Sequence, residues 1–385
     1  MDCVRFRVTI VGCSILHLYH NSVPAFYCCG SASSEPAFEV HVKRTILNLP
    51  ESASEITLDW LRDALPWRSL ACRPVSAEVE PDAGGPSLLG RIARVRLGYA
   101  TPGCGPPSLI VKFQARPSDW EAMIYRLLSE NDELSVPRLF GAFEGGTLVL
   151  EDVSPLRAGS QVNGCTVQRA RDVLAILAEI HGHFWGDPRV PSMAPARFSS
   201  VIDVNMAQCW APFQRRYRDR LGDLTDDFLW MWRHAQTVAA HRLSEPATLF
   251  HGDVHAENLL FGEAGTPPVL IDWQLASRGL AANDVSFFLV KSLSVEDRRA
   301  NEAQLLADYY ASLPEHVHVD YAFDRLTLDY RACVTRSMVS AVMLVGPRFA
   351  DRPGRLVLAD LLARRVIAAV RDLDPVGVLR ALEAC

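Results

Sequence analysis

The apolar and polar positions predict a strand-rich segment over residues 91–152, and apolar residues at helical spacing follow it. Residues 108–113 alternate in this way, which is typical of a β-strand with one buried face. In residues 166–185 apolar side chains recur at every third or fourth position, which predicts an amphipathic helix with Thr166 as its N-cap. A strand-rich segment followed by a helix-rich one predicts an α+β fold with a small β-rich lobe and a larger α-helical lobe.

Two short apolar runs, residues 248–250 and 269–271, lie on either side of a polar loop. Each run has the length of a buried strand. The loop between them contains Asp253 and Asn258, and Asp272 follows the second run directly. We therefore expect two strands that bring these three polar side chains to one cleft.

The three polar residues have the chemistry that phosphoryl transfer from ATP requires. Asp253 can orient a substrate hydroxyl and accept its proton, while Asn258 and Asp272 can hold Mg²⁺ ions that bridge the nucleotide phosphates. The interval between Asp253 and Asn258 equals that of protein kinase catalytic loops, with the metal-binding Asp one strand later. Each motif alone is equally consistent with a turn or a strand-end cap, but the two in this order favour a kinase that acts on a small molecule.

These motifs resemble the aminoglycoside phosphotransferase and choline kinase superfamily. The resemblance lies in residues 251–258 (HGDVHAEN), 271–274 (IDWQ) and 283–289 (NDVSFFL), and Gln274 favours the ecdysteroid-kinase-like (CHK) branch. Upstream, residues 148–152 (LVLED) resemble the hinge of the family and residues 177–185 its first large-lobe helix. The similarity spans roughly residues 50–370 and implies a protein-kinase-like fold of two lobes, with ATP and Mg²⁺ as cofactors.

The resemblance places Lys112 on the nucleotide phosphates, with Glu121 as its ion-pair partner on the next helix. Each residue also has an ordinary structural interpretation. An isolated lysine at a strand end is usually solvated, and Ser118 to Glu121 has the spacing of a capping box, in which Glu121 would bind the amide of Ser118. The ion pair is favoured because a kinase needs it to position the phosphates.

Two further nucleotide contacts are expected. A glycine-rich segment, residues 84–90, precedes a predicted strand at residues 92–99, so its amides and the Ser87 hydroxyl could hold phosphate oxygens. Glycine there is equally compatible with a flexible hairpin, although residues 101–107 make the better hairpin. By resemblance, backbone groups from Glu151 to Val153 would hydrogen-bond adenine.

The domain prediction divides the chain into three parts: an extension (1–48) that is disordered or reflects a start codon placed too early, an N-terminal lobe (49–152) and a C-terminal lobe (153–385). Residues 1–45 contain four of the ten cysteines and resemble a secretory signal peptide only weakly. Cys-x-x-Cys spacing is absent, so we predict neither zinc nor disulfides, and expect reduced thiols and a cytoplasmic protein.

Composition excludes some classes of function. The chain has 385 residues, of which 49% are hydrophobic, so it is long enough for two lobes with sizeable cores. A net charge of −6 provides no basic field for nucleic acid. We expect no membrane segment either, because no apolar stretch has the required length.

The acceptor is expected to bind along residues 186–246, which line the acceptor side of the cleft in this superfamily. This segment is rich in aromatic residues, which more often belong to a helix core than to a ligand pocket. In a pocket they would favour a bulky and largely apolar alcohol such as a steroid. Its aspartates leave an aminoglycoside or choline-type acceptor open. A nucleotide-binding pseudokinase scaffold is the alternative of another class, and a protein kinase is disfavoured because Trp273 stands where that family has Phe-Gly.

Overall fold

A five-stranded antiparallel sheet forms the first half of the fold, in the order β1-β2-β3-β5-β4. The structure is a computed structural model that describes residues 49–67, 72–81, 90–114, 118–192, 195–347 and 354–383. The predicted extension and residues 84–89 of the glycine-rich segment, which include Ser87, lie outside these residues. The strands are β1 (Ser76–Pro81), β2 (Gly90–Gly98), β3 (Ser108–Gln114), β4 (Leu139–Ala142) and β5 (Leu148–Glu151).

Strand β3 lies in the middle of the sheet, and its side chains alternate between two cores. Leu109 and Val111 are fully buried in a core that helix α1 (Leu58–Ala64) covers, and the Thr57 side chain caps that helix as expected. Because successive side chains of a strand point to opposite faces, Ile110 and Lys112 face the other side. Helix α2 (Trp120–Leu128) packs there, so the sheet alternation directs Lys112 towards α2.

The rest of the chain is mainly helical. The helices are α3 (Val167–His183), α4 (Pro195–Leu221), α5 (Thr225–Arg233), α6 (Ala235–Arg242), α7 (Ala282–Ser292), α8 (Val295–Ser312), α9 (Glu315–Asp320), α10 (Phe323–Met343), α11 (Arg355–Leu373) and α12 (Pro375–Glu383). Short strands separate α6 from α7, and β6 precedes α3: β6 (Arg157–Ala158), β7 (Thr248–Phe250), β8 (Leu259–Phe261), β9 (Val269–Leu270) and β10 (Ser277–Gly279). Thr166 caps α3 by accepting a hydrogen bond from the amide of Arg169, as its sequence predicts.

Helix α10 is central to the helical part, where it packs against α4, α7, α11 and α12. A core between these helices contains several aromatic residues that were candidates for the acceptor pocket. Phe213, Tyr217 and Phe228 are at most 4% exposed, and Trp210 packs against Phe213. These aromatic side chains therefore stabilise the helical part instead of lining a cleft.

The prediction that the chain has no disulfide is wrong. Cys72 and Cys104 are joined by one, which links the segment before β1 to the loop between β2 and β3. The pairing joins positions 32 residues apart, so no local spacing motif could reveal it. Cys165, Cys209 and Cys333 are free. The prediction of a cytoplasmic protein was based partly on fully reduced thiols. The disulfide removes that support, so the cytoplasmic location stays a prediction.

The described helices include none with the length and apolar character needed to cross a membrane. Strand β5 ends at Glu151 and α3 begins at Val167, so the five-stranded sheet precedes most of the helices, as the α+β prediction expects. The boundary between residues 152 and 153 that we predict for the two lobes stays a prediction.

Candidate active site

Lys112 joins two carboxylates that come from different parts of the fold. Its Nζ lies 2.7 Å from Oε1 of Glu121 and 2.7 Å from Oδ1 of Asp272. The side chains of Lys112 and Glu121 are 8% and 2% exposed, whereas that of Asp272 is 30% exposed. Burial would lower the pKa of Lys112, but the two carboxylates outweigh it and raise the pKa above its ordinary value. Lys112 is therefore a fixed positive charge at neutral pH.

Glu121 holds this cluster to the rest of the fold. Its Oε2 accepts a hydrogen bond from Gln114 at 2.6 Å, and its Oε1 accepts one from the amide of Trp273 at 3.1 Å. The alternative capping box is not formed, because the amide of Ser118 donates to the carbonyl of Gly145. Glu121 thus positions both Lys112 and the residue that follows Asp272.

Asp272 has a backbone conformation that non-glycine residues seldom adopt. Its φ and ψ are both 69°, in the left-handed region. Such conformations cost free energy and cluster at functional sites. The conformation comes at the end of β9, where the amide of Ile271 donates to the carbonyl of Asn258 at 3.0 Å. This bond holds the two predicted metal ligands on adjacent segments.

The loop that carries Asp253 requires glycine at position 252. Gly252 has a φ of 83°, and a Cβ placed there would lie 2.4 Å from the carbonyl oxygen of Leu275. The buried carboxylate of Asp284 accepts hydrogen bonds from the amides of His251 (2.6 Å) and Gly252 (2.8 Å). The loop is therefore held by the first turn of α7.

Two histidines support the loop. The Nε2 of His251 lies 2.9 Å from the carbonyl oxygen of Ile271, and its Nδ1 accepts from the amide of Asp253 at 3.2 Å. With Nδ1 as the acceptor, Nε2 is the ring nitrogen that can donate to the Ile271 carbonyl. His181 is fully buried, with Nδ1 2.8 Å from the Tyr309 hydroxyl and Nε2 3.3 Å from Asp284. Both histidines are placed as supports of the loop.

The Asp253 side chain is 32% exposed, so it is open to a substrate. Burial alone would raise the pKa of its carboxyl, but the neighbouring His255 side chain and the charges of Lys291 and Arg336 lower it well below the ordinary value. The Nε2 of His255 lies 3.4 Å from Oδ2 of Asp253. Asp253 is therefore ionised at neutral pH and ready to accept a hydrogen bond from a hydroxyl.

Asn258 and Asp272 suit a small, hard divalent cation. The Nδ2 of Asn258 donates to the carbonyl of Asp253 at 3.0 Å, which leaves its amide oxygen to act as a ligand. Mg²⁺ commonly takes one or two protein oxygens and completes its shell with water and phosphate. Within the described residues there is no cluster of three or more His, Cys, Asp or Glu side chains suited to a metal. The donor set thus fits a metal that is held jointly with a nucleotide.

The two predicted adenine contacts, Glu151 and Val153, differ in whether their backbone amides are already hydrogen-bonded. The amide of Glu151 donates to the carbonyl of Arg138, so only its carbonyl remains for a base. Across the part of the chain that the structure describes, no acceptor lies within hydrogen-bonding distance of the Val153 amide. Between them, Asp152 accepts hydrogen bonds from Arg94 and Ser108, both at 2.7 Å.

Sequence reasoning missed three charged residues behind the loop: Asp284, Lys291 and Arg336. Arg336 donates to the carbonyl of Gly252 at 2.8 Å, and Lys291 is 4% exposed. In the sequence, Asp284 stands out only as part of the motif at residues 283–289. Asp284 and Lys291 lie at the two ends of the mainly apolar residues 285–290, and such a position is a signal of a buried role, because charged side chains are seldom buried without a partner.

Comparison by sequence finds two matches. A family model, DUF1679, described as "Uncharacterized oxidoreductase dhs-27", matches residues 231–352, which include the loop and Asp272. An uncharacterised kinase-like protein of Caenorhabditis elegans, D1044.1, is 35% identical over 92 residues. That match covers 23% of this chain and 24% of the relative, so the chain aligns with about a quarter of the relative's length.

Comparison by structure finds kinases. The choline kinase of Cryptosporidium parvum superimposes with a TM-score of 0.55 at 12% identity, over 84% of this chain and 96% of that one. A protein from Ralstonia eutropha described as an aminoglycoside phosphotransferase superimposes with a TM-score of 0.52 at 13% identity, over 82% and 97%. At these identities the matches establish the fold. The chain therefore has the same two-lobed, kinase-like fold as these two proteins.

Proposed function

We propose that this protein is an ATP-dependent kinase that transfers a phosphoryl group to a hydroxyl of a small molecule. The observation that carries the proposal is the contact of Lys112 with both Glu121 and Asp272. Pairing of a strand lysine with a helix glutamate, beside an aspartate at the end of a later strand, is the arrangement with which kinases position nucleotide phosphates. A purely structural ion pair does not explain why Asp272 is partly exposed and backbone-strained.

The nucleotide would lie between the sheet and the catalytic loop. Lys112, held by Glu121, would bind its phosphates, while the Glu151 carbonyl and the Val153 amide would hydrogen-bond the base. Ser87 stays a predicted phosphate contact. Asn258 and Asp272 would hold Mg²⁺, which when bound neutralises charge on the phosphates and helps to align them.

Asp253 would orient the acceptor hydroxyl and take its proton as the new bond to phosphorus forms. Its lowered pKa makes it a weak base, which suits a group that mainly orients a nucleophile. The loop that carries it is fixed from three directions, by Asp284, His251 and Arg336. Rigid placement of the hydroxyl in line with the phosphoryl group is a large part of catalysis in this class of reaction.

The test is turnover with magnesium ATP and a mixed panel of hydroxyl compounds, followed by ADP release and by the mass of phosphorylated products. We expect a product of one chemical class. Asp253→Asn should lower kcat by about a thousandfold, and Asp272→Ala should abolish turnover and weaken nucleotide binding. Asp320→Ala, at an exposed position at the end of α9, is the matched control and should behave like the parent.

The proposal fails if the parent binds no nucleotide, or if both active-site variants retain the parental rate. Asp272-dependent nucleotide binding without turnover on any acceptor would favour the alternative of a pseudokinase scaffold. The presence of Lys112, Asp253, Asn258 and Asp272 together argues against that alternative.

The acceptor class is less constrained by the aromatic residues than the sequence suggests. A largely apolar alcohol stays a prediction, but the burial of Phe213, Tyr217 and Phe228 in a core removes part of its support. An aminoglycoside or choline-type acceptor is the alternative.

A further inference from the structure

Two cations lie behind the catalytic loop on helices that carry none of the nucleotide-side residues. Lys291 comes from the last turn of α7 and Arg336 from the middle of α10. Arg336 donates from Nη2 to the carbonyl of Gly252, the residue before Asp253. Both cations lie against the ring of Phe287, at 4.0 Å for Nζ of Lys291 and 5.1 Å for the guanidinium carbon. The two charges thus lie against the same ring, and Arg336 contacts the residue before Asp253.

The side chains of these two cations have few hydrogen-bond partners for their degree of burial. Lys291 has one side-chain hydrogen bond, at 3.2 Å to the hydroxyl of Ser340, and Nε of Arg336 is buried without a partner. Among the described residues no carboxylate lies within 4.0 Å of either cation. Burial lowers the pKa of Lys291 to about 8, with Asp253 opposing and Arg336 adding to the shift. A buried cation without a direct counter-ion costs free energy that an arriving anion would offset.

Two of the carboxylates that act electrostatically on Lys291 and Arg336 already have hydrogen-bond partners of their own. Asp284 accepts hydrogen bonds from two backbone amides and lies against His181, and Glu257 accepts one from Gln161 at 3.0 Å. Asp253 is the remaining one, and under the proposed function it binds the acceptor hydroxyl. A second negative group is therefore needed to complement the pair.

We propose that Lys291 and Arg336 form the part of the acceptor site that binds an anionic group, so that the acceptor is a hydroxy compound bearing a carboxylate, sulfate or phosphate. This inference rests on the proposed function. The nucleotide-side groups come from β3, α2, the catalytic loop and the end of β9, which leaves the α7 and α10 side of Asp253 for the acceptor. A polycationic acceptor would be repelled from this side, and a neutral one would leave both charges uncompensated.

The experiment compares matched acceptors that share one hydroxyl: a set of hydroxy carboxylic acids, their neutral methyl esters and their cationic aminoalkyl amides. We expect kcat/KM for the preferred acid to exceed that for its ester by about tenfold or more, mainly through KM. Lys291→Met should remove this preference, whereas Lys291→Arg, which keeps the charge, should retain most of it. Equal or better turnover of the ester or the amide, or a preference that survives Lys291→Met, would overturn the inference.

Ser340→Ala is the matched control, because it removes the hydrogen-bond partner of Lys291 and leaves both charges in place. It should retain the preference for the acid. Loss of the preference in this variant to the same extent as in Lys291→Met would indicate that packing, and not charge, determines it, and would contradict the inference.

Anion binding can also be measured without turnover. In the Lys112→Met background, where the phosphate-binding cation is gone, inorganic phosphate should raise Tm relative to chloride at equal ionic strength. The rise should disappear when Lys291→Met is added, and an unchanged rise would overturn the inference. Turnover that shows no preference for the carboxylic acid over its ester contradicts this inference alone. Anion binding that depends on Lys291, in a protein that binds no nucleotide, contradicts the proposed function alone.

Discussion

Lys112 is the residue at which the sheet, helix α2 and the end of β9 meet. It makes hydrogen bonds of 2.7 Å to both Glu121 and Asp272, and its neighbours in the sheet are apolar. Removal of one member of a buried charge pair costs more than the pair contributes, because the partner is left uncompensated. Electrostatic changes at this residue should therefore affect both stability and nucleotide binding.

Lys112→Met should lower the free energy of unfolding by about 3 kcal/mol, because Glu121 and Asp272 then lose their shared cation. Nucleotide affinity should fall in the same variant. Arg96→Met is the control, since its 3.0 Å pair with Glu80 on the neighbouring strand is half-exposed and should contribute less than about 1 kcal/mol. Chemical denaturation and nucleotide titration measure the two effects, and equal stability losses in both variants would contradict the interpretation.

Asp284 should make stability depend on pH. Burial alone would raise the pKa of its carboxyl, but hydrogen bonds from His181 and the amide of His251 lower it below the ordinary value. A carboxyl whose pKa is lower in the folded state stabilises the fold above the unfolded-state pKa and loses this contribution as pH falls through the folded-state pKa. Asp284→Asn should therefore cost about 3 kcal/mol at neutral pH.

The difference between the parent and Asp284→Asn should shrink as the pH falls below about 4, because the unfolded chain then takes up a proton that the folded protein binds only at lower pH. Denaturation curves across this range measure it. Asp320→Asn, at an exposed site, should show no comparable difference at any of these pH values. A loss in Asp284→Asn that is independent of pH would show that shape, and not charge, makes the contribution.

At the scale of elements, the catalytic loop is a segment that its neighbours hold in place. Its amides bind Asp284 of α7, its carbonyl at Gly252 binds Arg336 of α10, and His251 binds the carbonyl of Ile271 beyond β9. The loop approaches the carbonyl of Leu275 so closely that a side chain at position 252 has no space. Its conformation therefore depends on several elements that are distant in the chain.

Gly252→Ala should destabilise the protein by about 3 kcal/mol and reduce turnover, because the new Cβ meets both backbone strain and the Leu275 carbonyl. Gly265→Ala is a matched control. Gly265 has a φ of 88° and no atom within 4 Å of its built Cβ, so only the strain applies, and about 1 kcal/mol is expected. Thermal unfolding of the two variants separates the clash from the strain. Similar losses would mean that the contact with Leu275 relaxes.

At the scale of the whole molecule, contacts between α2 and the segment after β9 connect the sheet to the helical part. Besides the Glu121 and Lys112 contacts, the indole of Trp120 donates to the carbonyl of Ala276 at 2.9 Å. The Cys72–Cys104 disulfide also stabilises the part of the chain that forms the five-stranded sheet, because it closes a loop between the two cysteines.

Reduction of the Cys72–Cys104 disulfide, or its replacement by Cys72→Ala with Cys104→Ala, should lower the free energy of unfolding by about 3 to 4 kcal/mol, from the loop-closure entropy of the unfolded chain. Denaturation with and without reductant measures this loss. The double variant should be insensitive to reductant. Sensitivity that persists in it would assign the effect to another pair of cysteines.

Local patterns allowed much of the fold to be predicted. The alternation of β3, the caps at Thr57 and Thr166 and the short strands around the loop depend on neighbours within a few positions, so the sequence alone determines them. The polar residues of the candidate site were also recognisable, because the spacing of Asp253, Asn258 and Asp272 is set by a single loop and strand.

Tertiary structure alone decided how these residues combine. The contact of Lys112 with Asp272 spans 160 positions, and the choice of Glu121 between a helix cap and an ion pair depends on where α2 packs. The aromatic residues of α4 and α5 proved to be core, the Cys72–Cys104 pair formed, and Lys291 and Arg336 came to lie behind Asp253. Long-range packing determines which face of a helix is buried and which charges meet, and no pattern within a few residues contains that information.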